Sequence, residues 1–256
     1  MKNAHMNNAH CGRAHRTILR LPALVLCVAL LAACGEDPEA AKAAAAEQAA
    51  TREAAAREGA AAFDAAVAQQ NWALAKAQAD VLMHDFPGTE AAKRVAAEYD
   101  GVKAKLDAGR EAARTAALWA YATQDVPGGL QRSSAIYAKD DVDVDGSGPT
   151  QVRLIFRDHP DWGRSSYLVL QRGDFDCYGG CRVQVSVDGQ PPKSLPASRP
   201  KTDEAIAMFV EDEKALWTLA KSAKTIEIEF PVKGLGKRKA LFEVGGLDPQ
   251  RMPGWW

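Results

Sequence analysis

Histidine and cysteine, the residues that most often carry catalysis and metal binding, are scarce in this chain: five of each in 256 residues. Three of the histidines lie before residue 34, which leaves His84 and His159. No G-x-S-x-G nucleophile elbow accompanies them, so a Ser-His-Asp or Cys-His hydrolase lacks its usual signature. Aromatics make up only 7%. No apolar run reaches the roughly 20 residues that a membrane-spanning helix needs. Basic residues are not in excess either: the formal net charge is −1. A nucleic-acid ligand calls for a basic surface, so this balance excludes nucleic acid as the expected partner.

The N-terminus does carry an apolar run, Leu21 to Ala33, preceded by Arg13, Arg16 and Arg20 with no acidic residue nearby. A positive segment followed by a short apolar one reads as an export signal, with Met1 or Met6 as its start. The run ends in Leu31-Ala-Ala-Cys34-Gly35. This resembles the lipobox of bacterial lipoproteins: an aliphatic residue, two small residues that let a peptidase approach the backbone, and a cysteine that is lipidated and becomes the new N-terminus. The resemblance implies lipidation at Cys34 and a chain tethered to a membrane through that anchor. Each buried acyl methylene adds about 0.8 kcal/mol to such an anchor. Gly35 stands where an aspartate would retain an enteric lipoprotein in the inner membrane, so a periplasm-facing position on the outer membrane is expected. Removing residues 1–33 takes four of the 32 basic residues and none of the 33 acidic ones, which leaves a mature charge of −5.

The cysteines divide accordingly. Cys11 and Cys27 leave with the signal, Cys34 takes the lipid, and Cys177 and Cys181 remain as a pair. In an oxidising compartment an isolated pair reads first as a disulfide. A redox dithiol would need C-x-x-C at a helix N-terminus, and Cys177-Tyr-Gly-Gly-Cys181 has neither that spacing nor that setting.

Composition divides the remaining chain near residue 116. Residues 34–58 are rich in Ala, Glu, Arg and Lys and have little to bury; they read as a tether or marginal helix. Over 59–116 the apolar residues recur at helical spacing: Trp72, Ala75, Ala79, Leu82, Met83 and Phe86, then Ala92, Val95, Tyr99, Val102 and Leu106. Pro87-Gly88 breaks the pattern and Thr89 can cap the second run, which predicts an antiparallel helical hairpin. Asn71 to Ala97 resembles one tetratricopeptide-type unit, although a solenoid needs about three.

From 117 to 250 the period becomes two. Val152, Leu154 and Phe156 alternate with residues of another face. Val183, Val185 and Val187 lead into Asp188-Gly189, a hairpin signal, and Ile226, Ile228 and Phe230 alternate with Glu227 and Glu229. Glu211 to Lys224 reads as a helix burying Leu216, Trp217, Leu219 and Ala220, and Leu241 to Val244 as a last strand. The expected fold is α+β: a helical hairpin, then an antiparallel, sandwich-like β-rich domain with one helix. Residues 251–256 form a tail whose Trp255 and Trp256 could dock, enter a membrane interface or fray.

A second resemblance covers residues 117–248. It rests on Trp119-Ala-Tyr121, Asp125, Gly128, Leu154 and Arg157. It continues through Gly173-Asp-Phe175-Asp-Cys177, Cys181-Arg-Val-Gln-Val-Ser-Val-Asp188-Gly189 and Phe242-Glu-Val-Gly-Gly246-Leu247. The pattern is similar to a family of uncharacterised exported bacterial β-domains, which implies a fold and a compartment and no particular chemistry.

Three further segments invite a site. Asp141-Val-Asp143-Val-Asp145-Gly146 matches the opening of an EF-hand loop. Val152 stands where the bidentate glutamate belongs, so a weak calcium site of another kind, at Asp141, Asp143 and Asp145, competes with a solvated loop. No other cofactor is expected. Lys233 to Lys239 is a hairpin loop or an anionic-lipid contact. Paired carboxylates of a glycosidase kind have no linear signature. The leading expectation is thus a lipid-anchored binding or structural module with an envelope protein as partner. The alternatives are a periplasmic enzyme with a carboxylate site in the β-domain and a calcium-dependent adhesion or assembly module.

Overall fold

The computed structural model describes residues 37–202 and 205–255. The chain divides into two units after Ala50. Of the first unit, the described part is the exposed start of helix α1 (Pro38–Ala68). The second unit, from Thr51 onward, holds the rest of α1 and every other element.

Helix α1 runs unbroken through the boundary expected between tether and hairpin at residues 58 and 59. Alanine's propensity carries it, and no breaker intervenes. It stops only where Gln70 turns left-handed at φ 55°. Asn71 then starts α2 (Trp72–Asp85), its side chain accepting from the Leu74 N–H. The apolar pattern read as one helix from residue 59 is therefore two. The α2–α3 hairpin forms as expected, with α3 at Glu90–Ala117 and the Thr89 hydroxyl capping the Ala92 N–H at 3.2 Å. Phe63, Leu82 and Val95 centre the small core of these three helices. Gly59 matters there, because a Cβ would stand 3.0 Å from Leu82 Cδ1. Helix α1 also caps its neighbours: Glu53 accepts from the Glu90 and Ala91 N–H groups, and Arg52 donates to the Asp85 carbonyl. Both contacts complement the helix dipoles.

The β-rich part begins at Trp119, close to where the period changes. Its strands are β1 (Ala120–Val126), β2 (Gly129–Tyr137), β3 (Val142–Asp143), β4 (Pro149–Thr150), β5 (Val152–His159), β6 (Gly163–Leu170), β7 (Cys181–Val187), β8 (Lys193–Ser198), β9 (Ala207–Val210), β10 (Ile226–Val232) and β11 (Gly236–Phe242). Nine of them form one antiparallel sheet in the order β1-β2-β5-β6-β9-β8-β7-β10-β11, and β3 and β4 pair separately. The ends of the sheet approach one another: the Lys139 N–H, just past β2, donates to the Leu241 carbonyl of β11 at 2.7 Å. One face of every long strand from β5 to β11 thus enters a single core. Helix α4 (Glu213–Ser222) covers that core with Leu216, Trp217 and Ala220, and is shorter than its sequence pattern because Asp212 caps it. The last strand likewise starts and ends earlier than expected, since Val244–Gly246 is a 3-10 turn.

One sequence expectation changes here. The tail is no separate segment through Trp255, because Met252 and Trp255 are buried in the β core. A 3-10 turn at Pro249–Arg251 brings the chain back onto the domain. The Lys233–Lys239 stretch turns from β10 into β11, as the hairpin reading expects. Lys237 and Lys239 pair with Glu229 and Glu227 across β10, and Arg238 donates to the Asp143 carbonyl.

The last turn of α3 meets the 3-10 turn after β11 at a tight seam. A Cβ on Gly246 would collide with the backbone of Thr115 and Ala116. Gly246→Ala should therefore force the seam apart and destabilise the protein by about 1–3 kcal/mol, the usual range for overpacking; chemical denaturation measures it. Beside Gly246, the Glu243 carboxylate accepts from Arg114 at 2.8 Å and faces Lys139 at 3.6 Å. The hydrogen bond from Arg114 holds its carboxyl below the usual range, against the opposing effect of burial. A depressed carboxyl contributes stability above its unfolded pKa and loses it as pH falls through the folded one. Glu243→Gln should lower Tm at neutral pH, and the difference should close as pH falls through the depressed folded pKa, below which both side chains are neutral.

Candidate functional site

Cys34 lies outside the described residues. The Cys177–Cys181 pair forms a disulfide, with the Cα atoms 5.0 Å apart. Gly179 and Gly180 between them take positive φ, which lets five residues close on themselves just before β7. Nearby, Phe175 is fully buried and bridges to Val232, so the closed loop is fastened to the end of β10. Asp174 beside it is buried between Arg199 and Lys233 and accepts from the Ala205 N–H. These contacts fold the loop, consistent with a structural disulfide.

The aspartate loop does not gather its carboxylates. Val144 enters the β core and divides the run. Asp143 folds back to accept from the Asp145 and Gly146 N–H groups, at 3.3 and 2.8 Å. Asp145 accepts from the Ser147 hydroxyl and N–H and binds Arg172, and those contacts hold its carboxyl below the usual range. Asp141 is exposed. Among the described residues no group of three His, Cys, Asp or Glu is arranged to hold a metal. The calcium expectation at Asp141, Asp143 and Asp145 is thus corrected: local turn contacts take the oxygens first. Asp143→Ala should cost about 1 kcal/mol through the lost turn bonds, and equally in millimolar calcium and in chelator, as read by Tm.

His84 is exposed on α2, far along the chain from the β-domain chemistry. His159 is buried, accepts from the Asp161 N–H through Nδ1 and stacks on Trp162 at 3.9 Å. It borders an open polar cleft with Asp158, Arg164 and Glu213. Both acids are half-buried.

The more distinctive arrangement lies on the outer face of β5. Strand β5 turns Val152, Leu154 and Phe156 inward and Arg153, Ile155 and Arg157 outward. Cross-strand register sets Ile155 between Ala135 and Tyr167, with Phe209 beyond Tyr167 on β9. Tyr167 and Phe209 are 5.1 Å apart. Arg157 lies 5.3 Å from the rings of both Tyr167 and Trp162, and Arg153 lies 5.3 Å from the Tyr137 ring. Trp162 and Tyr137 are exposed, at 70% and 49%.

Neither arginine has a carboxylate partner among the described residues. Their Nε groups, and the neighbouring Ser165 hydroxyl, are buried without a hydrogen-bond partner there. By contrast, Lys237, Lys239, Arg172 and Arg238 of the β-domain meet acids or carbonyls. Two guanidinium groups on one face with no acid opposite them leave a net positive charge there, which favours an added anion. Cation–π contact with the rings also orients each guanidinium.

Sequence reasoning did not find this face. The alternation of β5 places the two arginines opposite the core, but only the pairing of β2, β5, β6 and β9 shows that no acid faces them. No family model, curated protein or solved structure matches this chain.

Proposed function

We propose that this protein is a lipid-anchored component of the bacterial cell envelope, held at Cys34, whose β-domain is a binding module. The observation that carries the binding role is the outer face of β5: two arginines in cation–π contact and without acids, beside exposed aromatic rings. The apolar floor of Ile155, Tyr167 and Phe209 and the charged flanks give that face the composition of an interface, where Tyr, Trp and Arg concentrate binding energy. The lipobox pattern and the export signal supply the address. The disulfide agrees with an oxidising compartment. Helices α1 to α3 then serve as a spacer between the anchor and the module.

Two measurements test this reading. Labelled palmitate should enter the chain in a bacterial host and be lost in Cys34→Ala; a chain that takes no label defeats the anchor. A photoreactive residue at position 137, on the arginine face, should give discrete crosslinked products in intact cells, and one at position 190, in the β7–β8 turn, should not. Identical products from both positions would remove the case for this face.

A further inference from the structure

The binding face has a repeat of its own, and the repeat specifies an occupant. Arg153, Ile155 and Arg157 are alternate residues of one strand, so all three stand on the same side of the sheet. At roughly 3.3 Å per residue the two arginines are separated by about 13 Å along the strand. Between them lies an apolar strip, Ile155 with Ala135 and Tyr167 on either side. Ile155 and Tyr167 are half-buried, and Ala135 is buried beside them, so the strip is shallow. Its charge is positive and unpaired.

An extended peptide has the same rise per residue as β5. Laid along that strand, it presents its own alternate side chains to the face at the same spacing. Resting on the proposed binding role, we infer that the ligand is an extended acidic segment of a partner protein with the pattern acid-x-apolar-x-acid. The outer two carboxylates meet Arg153 and Arg157, and the middle side chain covers Ile155 and the edge of Tyr167. Both ends of the match are charge-assisted, carboxylate to guanidinium. Trp162 and Tyr137, one at each end, cover the flanks of the two ion pairs and exclude water from them.

The test uses the full mature chain with its disulfide intact and three labelled synthetic peptides, read by fluorescence anisotropy and by Trp emission. One peptide carries Glu-Thr-Leu-Thr-Glu between neutral polar flanks. The second replaces both glutamates by glutamine. The third keeps composition and charge but sets the glutamates side by side. The first should bind, and the second and third should bind roughly tenfold or more weakly, as expected for lost hydrogen bonds to charged groups. Arg153→Gln and Arg157→Gln should each remove a similar factor for the first peptide only, with unchanged thermal melting. Arg157→Lys, which keeps charge and loses the fork, should fall between. Equal binding of all three peptides, no binding of the first, or indifference to both glutamine variants overturns the inference. Should a sulfated oligosaccharide or phosphatidylglycerol vesicles bind through the same arginines while the first peptide does not, the acidic-peptide assignment fails and the face remains a binding site.

Discussion

The β-domain depends on one aromatic cluster. Phe156 on β5 is fully buried and meets Trp217 of α4 at 5.1 Å, Trp255 at 5.5 Å and Trp119 at 6.2 Å. Trp217 and Trp255 also touch each other, at 4.8 Å. These rings come from four places: the segment entering β1, the middle of the sheet, the only helix of the domain among the described residues, and the last described residue. Edge-to-face contacts add about 0.5–1.5 kcal/mol each beyond the area they bury. Without the cluster, α4 would have no anchor over the sheet, and the residues after Leu247 would have no reason to return. The cluster explains why a chain with few aromatics concentrates four of them at one level of the core.

The cluster also fixes how the helices are attached. Trp119 reaches past β1 to donate from Nε1 to the Val244 carbonyl at 3.4 Å. That bond places the 3-10 turn of Val244–Gly246 under the end of α3, where Gly246 allows backbone to touch backbone. Arg114 and Glu243 close the same seam from outside. The helical part thus joins the β-domain through one small contact that a single methyl group would open.

Much of this was legible in the sequence, and the limits have physical causes. Strict alternation on β5, β7 and β10 follows from a sheet with one buried face, and Asp188-Gly189 turns the chain out of β7 at φ 48° and 74°. Glu211 to Lys224 showed its helix because dipole and burial patterns agree there. The extent of α1 was hidden, because alanine fits a helix whether or not it is buried, and Ala56 and Ala60 look no different from their exposed neighbours. Trp255 was ambiguous, because docking depends on Phe156 and Trp217, which lie about 100 and 40 residues away in the chain. The aspartate run misled for a related reason: a carboxylate two or three residues from a free N–H folds back on it before it can join a metal shell.

The arginine face shows where local reading ends in principle. A strand with one apolar and one polar side has two registers of information, and the apolar one is self-interpreting, since it must face the core. The polar side acquires meaning only from its neighbours. Arg153 and Arg157 would be ordinary solvated cations if β2 or β6 set a glutamate opposite, as Glu227 and Glu229 of β10 meet Lys239 and Lys237 of β11 elsewhere in the same sheet. On β10 and β11 the charges complete each other and the surface is neutralised. On β5 the register instead supplies Ser133 and Ser165 opposite Arg157, and Tyr137 and Val169 opposite Arg153. The same sheet therefore carries a finished face and an unfinished one, and the difference between them lies in cross-strand pairing, which composition does not record.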